Sequence, residues 1–213
     1  MKAVLPTVLQ RATFRRQFIQ LALKRAHPGT GSSLAFLQQR TWNSAVSILN
    51  NILRPDAYLI VGGVATRLYM PERMTLDLDI LVLTPTATAI YDQLKQAGAR
   101  QIGELGIPGS QWELADGTSL DVLVSNEAWV SEAFAHPNYA PDRMPVIGLP
   151  YLVLMKLKAS RAQDLADISR MLGAANTEAR QTVRAVIRKY LPEATEDVES
   201  LITLGKLEYE TGQ

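Results

Sequence analysis

The stretch Asp77-Leu78-Asp79-Ile80-Leu81-Val82-Leu83 constrains this chain more than any other. Its unbroken run of apolar and branched residues predicts a short strand with a core-facing side. Yet the run opens with two carboxylates two positions apart. In a strand that spacing sends both side chains to one face, while Leu76, Leu78 and Ile80 point the other way into the core. Two carboxylates side by side repel one another unless a cation lies between them. Asp77 and Asp79 are therefore candidate ligands for a metal ion.

The rest of the composition narrows which metal. The chain has no cysteine and only two histidines, His27 and His136, so thiolate and multi-histidine sites are excluded. Carboxylate oxygens suit hard cations such as magnesium or manganese. A third acid, Asp121, sits inside another apolar run, Leu120-Asp121-Val122-Leu123-Val124, where an unpartnered charge is costly. Upstream, Ala57-Tyr58-Leu59-Ile60-Val61 reads as a strand ending in Gly62-Gly63, followed by a helical Val64 to Tyr69. Glycines at a strand-to-helix turn offer bare backbone N–H groups to a phosphate. Three acids on neighbouring strands beside such a turn match the needs of two-metal phosphoryl chemistry, in which one ion activates the attacking hydroxyl and the other neutralises a triphosphate.

Around these strands the pattern is helical at both ends. Val8 to Ala26 carries one apolar stripe, Val8, Ala12, Ile19 and Leu23, with Phe14, Phe18 and Leu21 beside it. Pro28 to Ser33 is a turn or linker, and a second helix is expected from Leu34 to Leu53, stopping near Pro55. A helix from Pro85 to Gly98 has Thr84 as its expected N-cap. Gln101 to Leu105, Gln111 to Ala115 and Ser119 to Val124 read as strands, the last two joined at Asp116-Gly117. From Pro150 onward Tyr151 to Ala159, Asp164 to Leu172, Thr177 to Tyr190 and an acidic segment after Pro192 all read as helices. The fold class is α/β (α+β), a small mixed sheet flanked by helices. The expected division is a basic helical segment 1–55, a core 56–149 and a helical segment 150–213.

The combination Gly62-Gly63, Arg73-x-Thr75-x-Asp77-x-Asp79 and Asp121 resembles the nucleotidyltransferase superfamily, whose palm-like fold is shared with DNA polymerase beta. The segment Lys156-Leu157-Lys158-Ala159-Ser160-Arg161-Ala162-Gln163-Asp164-Leu165-Ala166-Asp167 is similar to the Lys-x-x-Ala-x-Arg-x-x-Asp-x-x-Asp stretch of the AbiEii/AbiGii toxin branch, the toxins of type IV toxin–antitoxin systems. The likeness runs from about Tyr58 to Leu172. It implies transfer of a nucleoside monophosphate from a nucleoside triphosphate to a hydroxyl, with release of pyrophosphate. It further implies Asp77, Asp79 and Asp121 as catalytic magnesium or manganese ligands, and phosphate contacts from Gly62, Gly63 and Lys156. Arg73 and Thr75 would belong to the substrate site or cap the strand. Asp164 would position or deprotonate the acceptor, or pair locally with Arg161. Many relatives carry Gly-Ser at the turn, and here Gly63 offers only backbone.

The acceptor implied by that branch is an RNA end, such as the acceptor end of tRNA, or a protein hydroxyl, and a cognate antitoxin would be a partner. Antitoxin-type and antibiotic-modifying transferases, and a catalytically idle relative that binds nucleotide or a partner, are the alternatives. Charge segregation bears on the acceptor: eight basic residues and none of the 21 acidic ones precede Asp56. Either Arg11, Arg15, Arg16, Lys24 and Arg25 dock an anion such as RNA, or they pack on the acidic remainder. No apolar run approaches the roughly 20 residues that span a bilayer. The arginine-rich, acid-free start has the composition of a transit peptide, but a cytoplasmic protein is the expectation.

Overall fold

The computed structural model describes residues 8–26, 47–71 and 77–209. The chain divides into two compact units, one of Arg40–Gly148 and one of Met1–Gln39 with Leu149–Gln213. The expected helix Leu34 to Leu53 falls largely outside the described residues, and its visible end, Ser47–Asn51, is a 3-10 turn.

The unit Arg40–Gly148 is built on a seven-stranded mixed sheet. Its strands are β1 (Leu59–Val61), β2 (Leu78–Leu83), β3 (Arg100–Glu104), β4 (Gly109–Glu113), β5 (Ser119–Ser125), β6 (Asn138–Tyr139) and β7 (Pro145–Val146). They lie in the order β3-β4-β5-β2-β1-β7-β6. β2 runs parallel to β5 and antiparallel to β1. Alternation in the sequence sorts the two faces. Leu78 and Ile80 of β2, Leu120 and Val122 of β5 and Trp112 of β4 are all buried, and register brings Leu78 opposite Leu120 and Ile80 opposite Val122. Each such side chain removed from water stabilises by about 1.5–3 kcal/mol. The ring of Tyr91, on helix α3 (Ala87–Gln96), stacks on Trp112 with centroids 5.5 Å apart, so α3 covers this apolar face. The acids of β2 and β5 necessarily project from the opposite face.

Several local expectations shift. The short helix α2 (Gly62–Ala65) starts at the first glycine and passes into a 3-10 turn, Thr66–Leu68. Thr84 does not cap α3: Thr84–Thr86 is itself a 3-10 turn, with Pro85 supplying its fixed φ. The hydroxyl that bonds there is that of Thr86, which donates to the Leu83 carbonyl at 2.9 Å. Helix α4 (Ala128–Ala135) and the two-residue strands β6 and β7 add elements that the sequence reading left unassigned.

The other unit is helical: α1 (Val8–Arg25), α5 (Leu149–Ala159), α6 (Ala162–Ala174), α7 (Thr177–Tyr190) and α8 (Thr195–Tyr209). Helices α6 and α8 approach unusually closely because glycines meet at their crossing. A Cβ on Gly205 would lie 2.8 Å from the Gly173 backbone nitrogen, and one on Gly173 would lie 2.5 Å from the Gly205 carbonyl oxygen. Asn176 caps α7 by accepting from the Ala179 N–H at 2.8 Å, the expected role of asparagine at a helix start. No described helix is long and apolar enough to cross a membrane.

Candidate active site

Asp79 and Asp121 are brought together by strand register. They are Cα partners in the parallel β2–β5 ladder, so their side chains leave the same face side by side. Both are half-buried. Asp77 stands one residue before β2 begins and is exposed. Its charge nevertheless reaches Asp121. The Asp121 carboxyl is held above the usual carboxylate range, first by desolvation, with repulsion from Asp77 adding to it and a hydrogen bond from Gln111 opposing it. Among the described residues no lysine or arginine pairs with Asp121. Its hydrogen-bond partner is neutral, the Gln111 amide, whose Nε2 donates to Oδ1 at 3.2 Å.

Gly62 has a different task from the one its sequence suggests. Its φ is +62°, a left-handed conformation that side chains disfavour, and the carboxylate of Asp79 fills the place a Cβ would take, 2.5 Å from Asp79 Cγ. The glycine is required for Asp79 to fold back against the turn. Gly63 follows inside α2 and its carbonyl accepts the Thr66 hydroxyl at 2.7 Å.

The chemistry of this donor set fits a hard divalent cation: carboxylate oxygens only, with Asp77 repelling Asp121 and no basic counterpart at Asp121 among the described residues. Among the described residues no three His, Asp or Glu side chains already converge as a metal cluster. Asp79 and Asp121 are register neighbours, and Asp77 precedes β2. Arg73 and Thr75 lie outside the described residues.

Lys156 and Asp164 belong to the helical unit, and there they find each other. Lys156 is 4% exposed and donates from Nζ to Asp164 Oδ1 at 3.1 Å and to Asp167 Oδ2 at 2.7 Å. Asp164 also receives Arg161 Nε at 2.6 Å and, in a capping-box arrangement, the Arg161 backbone N–H at 3.3 Å. Asp167 is fully buried and takes a further bond from Gln163 at 2.9 Å. Every charge in this cluster is answered within its own unit, and the local Arg161–Asp164 pair is present. Lys158, two positions on, is half-exposed and turned to another face.

The basic N-terminal helix requires a correction. Arg15, grouped above with the anion-docking candidates, is 3% exposed and pairs with Asp197 at 2.6 Å. It also donates to the Leu157 carbonyl and the Ser160 hydroxyl. Arg11 donates to the Lys158 carbonyl at 3.2 Å and Arg16 to the Glu193 carbonyl at 3.3 Å. Three of the five candidates are thus engaged by α5 and by the acidic C-terminal segment, which is the packing alternative.

Gln111 went unremarked in the sequence, although a signal for it exists. The Asp116-Gly117 turn, with Gly117 at φ +86° and the Leu114 and Thr118 backbones bonded across it, sets Glu113 opposite Ser119. Counting back two places sets Gln111 opposite Asp121.

No protein-family model matches the sequence, and no curated protein does. Among solved structures the chain is similar to a crystal structure of ANT(2")-Ia in complex with adenylyl-2"-tobramycin, at 18% identity and a TM-score of 0.45, covering 78% of this chain and 99% of that one. A solution structure of the antibiotic-resistance factor ANT(2'')-Ia aligns over 95% of both chains at 15% identity and a TM-score of 0.39. The Cid1 poly(U) polymerase aligns at 14% identity and a TM-score of 0.31, covering 78% of this chain and 46% of that one.

Proposed function

We propose that this chain is a metal-dependent nucleotidyltransferase, moving a nucleoside monophosphate from a nucleoside triphosphate to a hydroxyl acceptor. The observation that carries the reading is the register that sets Asp79 beside Asp121 on one face of β2 and β5, with Asp77 adding negative charge at Asp121. Ionised Asp121, half-buried and near Asp77, costs free energy in the resting protein, and a divalent cation would reverse the sign of that cost. The motif resemblance of Gly62-Gly63, Asp77-x-Asp79 and Asp121 supports the same reading.

In this account Asp77, Asp79 and Asp121 hold magnesium or manganese. Bound there, the cation supplies charge neutralisation for the triphosphate and its leaving pyrophosphate and acidifies the attacking hydroxyl. The backbone at Gly62-Gly63 contacts phosphate, and Gly62 keeps the Asp79 carboxylate folded against the turn. The acceptor oxygen bonds to the α-phosphorus, and the bond from that phosphorus to the bridging oxygen breaks. Pyrophosphate leaves with the electron pair, and the hydroxyl proton passes to a carboxylate of the pair. The protein's contribution is positioning and electrostatics. Within this reading Arg73 and Thr75 are substrate-side groups, whereas Lys156 and Asp164, whose charges pair with each other, are given a structural part in their own unit. The AbiEii-like toxin role, with an RNA end or a protein hydroxyl as acceptor and an antitoxin as partner, rests on the resemblance of the Lys156 to Asp167 segment.

The test is incubation with each labelled nucleoside triphosphate, magnesium, and total cellular RNA or protein. Label should appear in one acceptor class and vanish in Asp79→Asn and Asp121→Asn. Transfer that survives both substitutions would end the proposal.

A further inference from the structure

Four strands bring one transverse row of residues into line. Gly103 on β3 is the register partner of Gln111 on β4, Gln111 of Asp121 on β5, and Asp121 of Asp79 on β2. Register partners project from a common face, so Gln111 lies beside the acidic pair. A primary amide has one donating end and one accepting end, whereas an ionised carboxylate only accepts. Asp121 therefore fixes which end of Gln111 faces it, and Nε2 donates to Oδ1 at 3.2 Å. The accepting end is turned away, toward β3, where a Cβ on Gly103 would stand 3.2 Å from Gln111 Oε1. The β3–β4 register shifts between Gln101 and Gly103, next to this point.

The identity of the partner matters. A lysine or arginine at position 111 would neutralise Asp121 and compete with any other cation. The neutral amide restrains one carboxylate oxygen and leaves the charge in place. Among the described residues no other hydrogen bond reaches Asp121, so Oδ2 remains open to a further ligand. We infer that Gln111 is a positioning residue, which holds the Asp121 carboxylate in the orientation that receives a divalent cation. This rests on the cation site proposed above. Partners of this kind around metal-binding carboxylates orient them without touching the ion.

The experiment is calorimetric titration of the full chain with Mn2+ alone, alongside its melting temperature. Gln111→Met keeps the length and loses the donor, and Gln111→Asn keeps the amide but falls a methylene short of Asp121. Both should weaken Mn2+ binding about ten-fold or more, with the melting temperature near that of the parent. If both bind Mn2+ as the parent does while Asp121→Asn loses it, Gln111 is no positioning residue and the cation site stands. If Gln111→Met does not fold, parent-like affinity in Gln111→Asn alone overturns the inference. A parent chain that binds no Mn2+ removes the cation site and this inference together.

Discussion

The molecule contains two clusters of buried or half-buried aspartates that are solved in opposite ways. In the helical unit Asp164, Asp167 and Asp197 are almost fully enclosed, and each has a cation in contact: Lys156 for the first two, Arg161 for Asp164, and Arg15 for Asp197. In the sheet unit Asp79 and Asp121 are register neighbours on one face, and the donor to Asp121 is a neutral amide. The first arrangement is internally balanced, and its acids have little call for an outside ligand. The second leaves the half-buried Asp121 with a neutral amide and the nearby charge of Asp77, a condition that a bound divalent cation relieves. Acid content alone would not separate them. What separates Asp167 from Asp121 is the partner in contact, a lysine ammonium for the first and a neutral amide for the second.

The largest effect should come from unbalancing the balanced cluster. Lys156→Met removes the lysine ammonium in contact with buried Asp167 and should lower unfolding free energy by about 3–5 kcal/mol, measured by denaturant unfolding. Adding Asp167→Asn should recover part of that loss, because the remaining Asp164 keeps Arg161. If Lys156→Met costs nothing, the cluster is not held by its charges and the contrast collapses.

A smaller effect is expected at Gly62. Gly62→Ala meets both the left-handed φ and the Asp79 carboxylate, for a loss of about 1–2 kcal/mol from the backbone alone. The sharper readout is Mn2+ binding, which should fall because Asp79 is pushed out of place. Unchanged Mn2+ affinity would detach Gly62 from the acidic pair.

The smallest effect belongs to the surface. Arg184 and Glu199 pair at 2.5 Å on exposed helix faces, and solvent screening keeps such pairs below about 1 kcal/mol. Arg184 holds the Glu199 carboxyl below its ordinary range, mainly through their hydrogen bond. The stability this contributes is present above the unfolded carboxyl range and is lost as pH falls through the lowered one. Arg184→Ala should therefore narrow the gap to the parent in acid, a comparison made by melting at neutral and low pH.

The sheet half of this account was largely legible in the sequence. Alternation identified the strands and the acids they carry, because strand periodicity is local. Helices α6 and α7 were equally plain from their apolar spacing. Short elements were not: α4 buries Trp129, Val130 and Ala133 in only eight residues, and β7 offers two. Thr84 was misread because Pro85 suits the start of a 3-10 turn as well as an α-helix. The role of Gly62 was hidden because the carboxylate it accommodates comes from a different strand. Arg15 stayed open between docking and packing for a related reason, since its partner Asp197 lies 182 residues away and no local pattern announces it.

Asp121 carries an unfavourable charge beside its register neighbour Asp79, at a site that a divalent cation would complete. A raised carboxyl pKa in the folded state means that ionisation of Asp121 opposes folding, so its stabilising protonated form is lost as pH rises through the raised value. The direct measurement is the melting temperature of the parent and of Asp121→Asn at neutral pH, without and with Mn2+. The account predicts that Asp121→Asn melts at or above the parent without metal, and that Mn2+ raises the parent's melting temperature while leaving the variant's nearly flat. A parent that ignores Mn2+, or a variant that responds to it as the parent does, would contradict the account.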